Sequence, residues 1–131
     1  MGDNKTLSMK VIYKVIAADT EMFEKSRNEW NHLVSAMKRP VIFCTWEWIY
    51  TWWECFGKDY RLLVLFVYKQ AEIVGILPLV FHKRVGNDLL RVRVLSYCGS
   101  VELYPDHLDL ICSDIESEPC MDAIFYFLLS E

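Results

Sequence analysis

A histidine and two carboxylates lie close together in the last third of the chain. His107 and Asp109 alternate along a predicted strand, so their side chains share one face, and Tyr104 and Asp106 come just before them. A carboxylate next to an imidazole orients the ring and favours its protonation, which suits a general base. This cluster predicts contacts to a polar substrate, and a polar loop that enters an edge strand is the alternative interpretation.

Trp48 and Trp52, one helical turn apart, form a second candidate site. Aromatic rings of this kind stack on sugars or nucleotides, and the alternative is that they pack in the core. Both belong to residues 43–57, which hold four of the five tryptophans and are predicted to form one helix, with Thr45 as its N-cap and Gly57 at its C-terminal end. Most of the circumference of this helix is apolar, so it must be covered on most sides. Its narrow polar stripe consists of Glu47, Thr51 and Glu54.

The five cysteines are an odd number, and no two of them have the C-x-x-C spacing of a zinc site or a redox motif. Most of them have apolar neighbours, which predicts buried thiols in a reducing compartment and no metal site. Cys98, next to Gly99, is a minor candidate for a nucleophile with His107 as its base, because the sequence does not place the histidine within reach.

The composition argues against two classes of protein. A chain of 131 residues suits one domain, and its formal net charge of -4, without a prominent cluster of Lys and Arg, argues against binding to nucleic acid. No apolar run approaches the roughly 20 residues that span a membrane, and the polar N-terminus lacks the apolar segment of a signal peptide. The sequence therefore predicts a cytoplasmic protein without a membrane span.

The first half of the chain is predicted to contain a strand and a long helix before the tryptophan-rich helix. Residues 9–17 alternate as a strand does, and Asp19 or Thr20 can cap the helix that follows. Pro40 ends this helix, and residues 41–44 are predicted to be extended. The helix has apolar positions at helical spacing, namely Met22, Phe23, Trp30, Leu33, Val34 and Met37.

A hydrophobic hairpin follows. Residues 61–69 are almost uninterruptedly apolar, as in a strand covered on both faces, and residues 73–81 return after a polar turn. Gly75 and Pro78 lie inside the second strand, and proline cannot donate to a ladder. We therefore expect a bulge or an unpaired side there.

The last third is predicted to contain a turn at 85–88, a strand at 90–98, a loop at 99–106, a short strand at 107–112 and a helix at 116–129. Residues 123–129 of that helix have no polar face. A wholly apolar helix needs a cover, so we expect either that the chain is a fragment or pairs with another chain, or that this helix docks centrally on the sheet.

Three segments carry a family resemblance. Residues 43–53 resemble a Phe-x-Ser-x-x-Trp-x-x-x-Trp motif, residues 65–79 a hydrophobic hairpin ending in Gly-x-x-Pro-Leu, and residues 94–99 with 104–109 a Leu-x-x-x-Gly stretch followed by Tyr-x-Asp. In this order they resemble the bacterial acyltransferases linked to cellulose and exopolysaccharide synthesis, which look like relatives of the Fem-type peptidyl transferases. The resemblance covers roughly residues 10–131.

The resemblance implies a GNAT-like α/β fold, with a mixed, mostly antiparallel sheet flanked by helices. Residues 1–9 are then a loose leader, and residues 10–131 form one GNAT-like domain, the N-terminal, acceptor-side half of a tandem-domain acetyl- or acyltransferase. Its second domain, a missing C-terminal GNAT domain, binds acetyl-CoA or another acyl-CoA. The implied acceptor is a sugar, an amino acid or an envelope or polysaccharide precursor. We expect its contacts to come from Trp48, Trp52, Tyr104, Asp106, His107 and Asp109.

The chain departs from the GNAT pattern in its glycines. GNAT enzymes hold the pyrophosphate of CoA on backbone N–H groups at a helix N-terminus, in a Gln/Arg-x-x-Gly-x-Gly/Ala segment. The five glycines of this chain are too far apart to form that segment. We therefore expect no cofactor and no activity for the 131-residue chain alone. The alternative function is a non-catalytic interaction module of the same fold, which docks a partner or a second copy through its apolar terminal helix.

Overall fold

The computed structural model describes residues 12–82, 95–99 and 110–130. In these residues five antiparallel strands form one sheet, and four α-helices flank it, so the chain has a mixed α/β fold. The strands are β1 Tyr13–Ala18, β2 Tyr60–Lys69, β3 Glu72–His82, β4 Leu95–Tyr97 and β5 Ile111–Cys112. The helices are α1 Thr20–Lys25, α2 Arg27–Ala36, α3 Trp46–Phe56 and α4 Ser117–Leu129, and short 3-10 helices span Ile42–Cys44, Gly57–Asp59 and Asp114–Glu116.

The strand order is β1-β2-β3-β4, and β5 pairs with the same edge of β3 as β4 does. No helix in the described part of the chain is long and apolar enough to cross a membrane. Several predicted segments lie wholly or partly outside the described residues: the leader at 1–9, the turn at 85–88, most of the strand at 90–98, the loop at 99–106 and the first part of the strand at 107–112.

β2 and β3 form the predicted hairpin, and this hairpin is the centre of the sheet. Successive side chains of a strand point to opposite faces. Val64 and Phe66 of β2 are buried on the side of α1, α2 and α3, and Leu65 and Val67 are buried on the side of α4. The uninterrupted apolar run in the sequence therefore reflects a strand with a hydrophobic core on each face.

The predicted irregularity in β3 is confirmed. The register shifts where Val67 pairs with Gly75 and Tyr68 pairs with Ile73, so Val74 is the extra residue of a bulge. On the other edge of β3, β5 pairs with residues 75–76 and β4 pairs with residues 79–81. Pro78, which has no N–H to donate, lies between these two partners, and its carbonyl accepts a hydrogen bond from the Cys98 amide at 3.0 Å.

The predicted helix from residue 19 to 37 is two helices, which is a correction. Asp19 is the N-cap, and its carboxylate accepts a hydrogen bond from the Met22 amide at 2.8 Å. The break falls at Ser26, a buried residue whose hydroxyl donates to the Phe23 carbonyl at 2.8 Å. A serine side chain that bonds the local backbone competes with the helical pattern, so α1 ends there and α2 starts in a new direction. The segment predicted to be extended at 41–44 also differs, since Ile42–Cys44 is a 3-10 turn.

Helix α3 begins as predicted, because the Thr45 hydroxyl accepts a hydrogen bond from the Trp48 amide at 3.3 Å. Its exposed stripe includes Glu47, which joins α3 to α2. The Glu47 carboxylate accepts from Arg27 at 2.7 Å and from Asn31 at 2.8 Å. These two donors hold the pKa of Glu47 below its usual value, with the Asn31 hydrogen bond as the largest cause.

A partly buried polar cluster ties β1 and β2 to the start of α4. The Tyr13 hydroxyl donates to one Glu116 oxygen at 2.7 Å, and the Lys69 ammonium donates to the other at 3.2 Å. The Glu116 side chain is only 14% exposed. The hydrogen bond from Tyr13 lowers the pKa of Glu116 most, and Lys69 adds to this, although burial acts in the opposite direction.

The Glu116→Gln variant should be less stable than the original chain by about 1 kcal/mol at neutral pH, because a charge-assisted pair is lost at a site that is partly open to water. The folded-state pKa of Glu116 is depressed, so its contribution is complete above the ordinary glutamate value of 4.5 and disappears as the pH falls through the folded value. Urea unfolding between pH 7 and pH 3 measures both effects. Glu118→Gln, at an exposed position on the same helix, is the control. If the original chain and Glu116→Gln differ as much in unfolding free energy at pH 3 as at pH 7, this account is wrong.

Candidate functional site

The ring of Trp48 lies at the start of α3, beside the turn at residues 98–99. Phe43 packs edge-on against this ring, with 4.8 Å between the ring centroids. Gly99 has a φ of +85°, and a Cβ atom added there would lie 3.5 Å from Trp52 and 3.8 Å from the Trp48 indole nitrogen. The turn therefore passes over the edges of both predicted site tryptophans, at a position where glycine is favoured for its backbone conformation.

The indole N–H of Trp48 is a buried donor without a hydrogen-bond partner among the described residues. Two other tryptophans that pack in the same core, Trp30 and Trp46, have partners for their indole N–H groups. Trp30 donates to the Cys44 carbonyl at 2.8 Å, and Trp46 donates to the Phe23 carbonyl at 2.8 Å. Leaving a buried donor unpaired costs about 1–3 kcal/mol. We therefore expect the acceptor for the Trp48 N–H to come from a ligand or from outside the described residues.

Trp52 has a different environment. It is 2% exposed and packs on Tyr60, with 5.2 Å between the ring centroids, and on Phe56. The structure thus places Trp52 in the core, where its ring supports the turn at Gly99. Its predicted role as part of a groove wall stays a prediction.

The remaining predicted site residues, Tyr104, Asp106, His107 and Asp109, lie outside the described residues. Their roles also stay predictions. Gly99 is five residues before Tyr104 in the chain, and five extended residues reach at most about 17 Å.

One polar pair on this side of the sheet was not predicted. The His82 ring nitrogen Nε2 forms a hydrogen bond with the Ser96 hydroxyl, and the Tyr60 ring packs edge-on against the imidazole at 5.0 Å between centroids. Ser96 pairs with Val80, two residues before His82. The pairing register of β3 and β4 brings the two side chains together, and the sequence contains no local signal for that register.

Cys98 is poorly suited to be a nucleophile. Its side chain is fully buried, and burial raises the pKa of its thiol far above the usual value. The thiolate is the reactive form of cysteine, so this residue is inert at neutral pH. Its amide instead fixes the turn through the hydrogen bond to Pro78.

The described residues do not fit the pyrophosphate of CoA. Their three glycines, Gly57, Gly75 and Gly99, lie apart, and each one makes room for a side chain rather than for a ligand. Gly57 lies under the Trp53 ring, Gly75 under the Cys120 thiol and Gly99 beside Trp52. None of them is at the N-terminus of an α-helix, where backbone N–H groups would hold a phosphate.

Comparison of the chain with known protein families, with curated proteins and with solved structures finds no match. The resemblance to acyltransferases therefore rests on the three sequence motifs alone. The antiparallel sheet with helices on both faces agrees with the general class that those motifs imply.

The buried Trp30 and the partly buried Trp48 should respond differently to replacement by phenylalanine. Trp30→Phe removes a satisfied hydrogen bond and leaves a cavity, so it should cost about 2–3 kcal/mol of unfolding free energy. Trp48→Phe also removes ring volume, but it breaks no hydrogen bond to a described residue. Its cost in unfolding free energy should therefore stay below about 1 kcal/mol. Urea unfolding followed by circular dichroism checks the difference. Equal costs would show that the Trp48 N–H is already satisfied in the folded chain.

Proposed function

We propose that this chain is the N-terminal, acceptor-side GNAT-like domain of a bacterial acetyl- or acyltransferase that acts on a sugar, an amino acid or an envelope or polysaccharide precursor. The observation that carries the proposal is the buried Trp48 N–H, which lacks a partner among the described residues. It lies beside Gly99, at the start of the segment that contains the predicted acceptor contacts at 104–109. The five thiols fit a reducing, cytoplasmic compartment.

In this proposal Trp48 donates a hydrogen bond to an oxygen of the acceptor, since hydroxyl and carbonyl oxygens are the acceptors that an indole N–H takes. The reaction also needs a base for the acceptor amine. The predicted pair His107 and Asp109 is one source, and His82, which forms a hydrogen bond with Ser96, is another. Because the glycines do not fit CoA, we assign the acyl-CoA to a second GNAT-like domain rather than to these 131 residues.

The test is an NMR titration of the ¹⁵N-labelled chain. Each of the five tryptophans gives one indole N–H signal, and the Trp48→Phe spectrum identifies the signal of Trp48. Glucosamine, N-acetylglucosamine and a set of free amino acids are added in turn. We expect one class to shift the Trp48 indole signal and to bind about fivefold to tenfold more weakly to Trp48→Phe, which is the effect of one lost hydrogen bond.

Trp46→Phe is the matched control, because its indole N–H already has the Phe23 carbonyl as partner and should not affect ligand affinity. Acetyl-CoA is added separately and should not bind. A chain that is folded but gives no shift of the Trp48 signal with any acceptor class would argue against the acceptor site. Micromolar binding of acetyl-CoA would show that the chain has its own donor site.

A second candidate function is a non-catalytic interaction module, and the exposed surface of α4 favours it. Tyr126 is 78% exposed, Leu129 is 85% exposed, and Phe125 is more than half exposed. Next to them, a groove of about 630 Å³ runs between β1 and α4. The other face of α4 docks on the sheet through Ile124 and Cys120. Apolar surface of this kind, next to the edge of a sheet, marks an interaction site.

In the interaction-module alternative we infer that the partner is a second copy of the chain, because the two walls of the groove carry opposite charges. Lys14 on β1 and Asp122 on α4 are both exposed and both line the groove. In a two-fold interface the same surface meets itself, so Lys14 of one copy can meet Asp122 of the other twice.

Sedimentation equilibrium tests the dimer. Tyr126→Asp should weaken association about tenfold or more, while Ile115→Asp, at an 88% exposed position outside the groove, should not. Lys14→Asp should weaken association, and Lys14→Asp combined with Asp122→Lys should restore it. A monomer at every concentration, or equal effects of Tyr126→Asp and Ile115→Asp, would remove this alternative and leave the acceptor-site proposal unaffected.

A further inference from the structure

Two thiols from different elements meet on the α4 side of the sheet. Cys112 of β5 pairs with Gly75 of β3 in the ladder. A Cβ atom added to Gly75 would lie only 2.8 Å from the sulfur of Cys120 on α4. Gly75 thus leaves the space into which the Cys120 thiol fits, directly opposite Cys112.

Both side chains belong to the buried cluster under α4, and Gly75 is the shared neighbour that brings them together. Hydrogen bonding with Cys112 is the largest cause of the raised pKa of the Cys120 thiol, and burial adds to it. The Cys120 thiol is therefore protonated at neutral pH, and of the two cysteines it is Cys112 that lines a cleft.

Cys112 is 6% exposed and lines a cleft of about 160 Å³ between the end of α2 and the start of α4, which is its route to small molecules. Lys38 and Arg39 line the same cleft, as does Asp114. Cationic side chains favour a thiolate, and a cleft of this volume admits a small molecule but not a folded partner. Cys120 is fully buried and does not line the cleft.

We propose that Cys112 and Cys120 form a peroxide-reactive dithiol, in which Cys112 is the residue attacked from the cleft and Cys120 is the resolving thiol. The Cys112 thiolate attacks one oxygen of hydrogen peroxide, the O–O bond breaks, hydroxide leaves, and Cys112 becomes a sulfenic acid. The Cys120 sulfur then attacks the sulfenic sulfur, the S–O bond breaks, and water leaves with the Cys120 proton. The two thiols lose two electrons in all, and the peroxide becomes water.

The product joins β5 to the N-terminal half of α4 by a disulfide. It constrains the unfolded chain, and it joins two side chains of one buried cluster. The oxidised chain should therefore melt several degrees higher than the reduced one.

The experiment uses the Cys55→Ser chain, because Cys55 is the exposed cysteine and would otherwise join two molecules. After treatment with peroxide, the chain is digested without reduction by a protease that cleaves after glutamate. Cleavage after Glu116 puts Cys112 and Cys120 in different peptides. We expect mass spectrometry to find these peptides joined, with the loss of two hydrogen atoms and with separation by dithiothreitol, while buried Cys98 stays reduced.

Two further variants in the Cys55→Ser background test the order of events with dimedone, which captures sulfenic acids. With Cys120→Ser, Cys112 should be labelled. With Cys112→Ser, labelling of Cys120 should be at least about tenfold slower, since that thiol is buried and protonated. Circular dichroism confirms that each variant is folded. The proposal is overturned if the folded Cys55→Ser chain gives no joined peptides, if Cys98 reacts as fast as Cys112, or if Cys120 is labelled first.

Discussion

The burial of β2 on both faces is the constraint on which the rest of the structure depends. Val64 and Phe66 need a cover on one side and Leu65 and Val67 need one on the other, so helices must lie on both faces of the sheet. The helices before β2 in the chain cover the first face, and α4, which follows β5, covers the second. A strand with only one apolar face would need no such arrangement.

On the face of the sheet that α1, α2 and α3 cover, hydrogen bonds hold the polar atoms of several aromatic side chains. The indole nitrogens of Trp30 and Trp46 donate to backbone carbonyls of other segments, and the Tyr50 hydroxyl donates to Glu24 at 2.8 Å. That hydrogen bond to a carboxylate raises the pKa of Tyr50 to about 12. Because these bonds are directional, they fix the rotation of α3 about its axis, which burial of the rings alone would leave variable. The position of Trp48 follows from this rotation.

The features that could be predicted from the sequence are those with a local physical cause. The hydroxyl of Thr45, the proline and glycine of β3 and the apolar run of β2 act within a few residues, and the cap, the bulge and the buried strand are all found.

The break at Ser26 was missed because a serine bonds the local backbone only in one of its conformations, and the helical pattern of the apolar residues continues through it. The pairs His82 with Ser96 and Cys112 with Cys120 were missed because strand register and helix docking create them. Of the predicted acceptor contacts, Trp48 and Trp52 are described, and the Trp48 indole N–H is the buried donor without a partner among the described residues.

Helix α4 is held very differently at its two ends. Its first turns are anchored by Glu116, by the Cys120 thiol against Gly75 and by Ile124, which is 1% exposed. In its last turns Phe127 and Leu128 are only partly buried against the same core, and Phe125, Tyr126 and Leu129 are exposed. Local stability follows buried contacts, so the helix should open from its C-terminal end while its N-terminal end stays closed. Oxidation of the dithiol acts on the N-terminal half of α4, and the groove follows this helix from Pro119 to Ser130, so a partner in the groove contacts both halves. The two events therefore act on neighbouring contacts of one helix, and we expect that their effects on stability do not simply add.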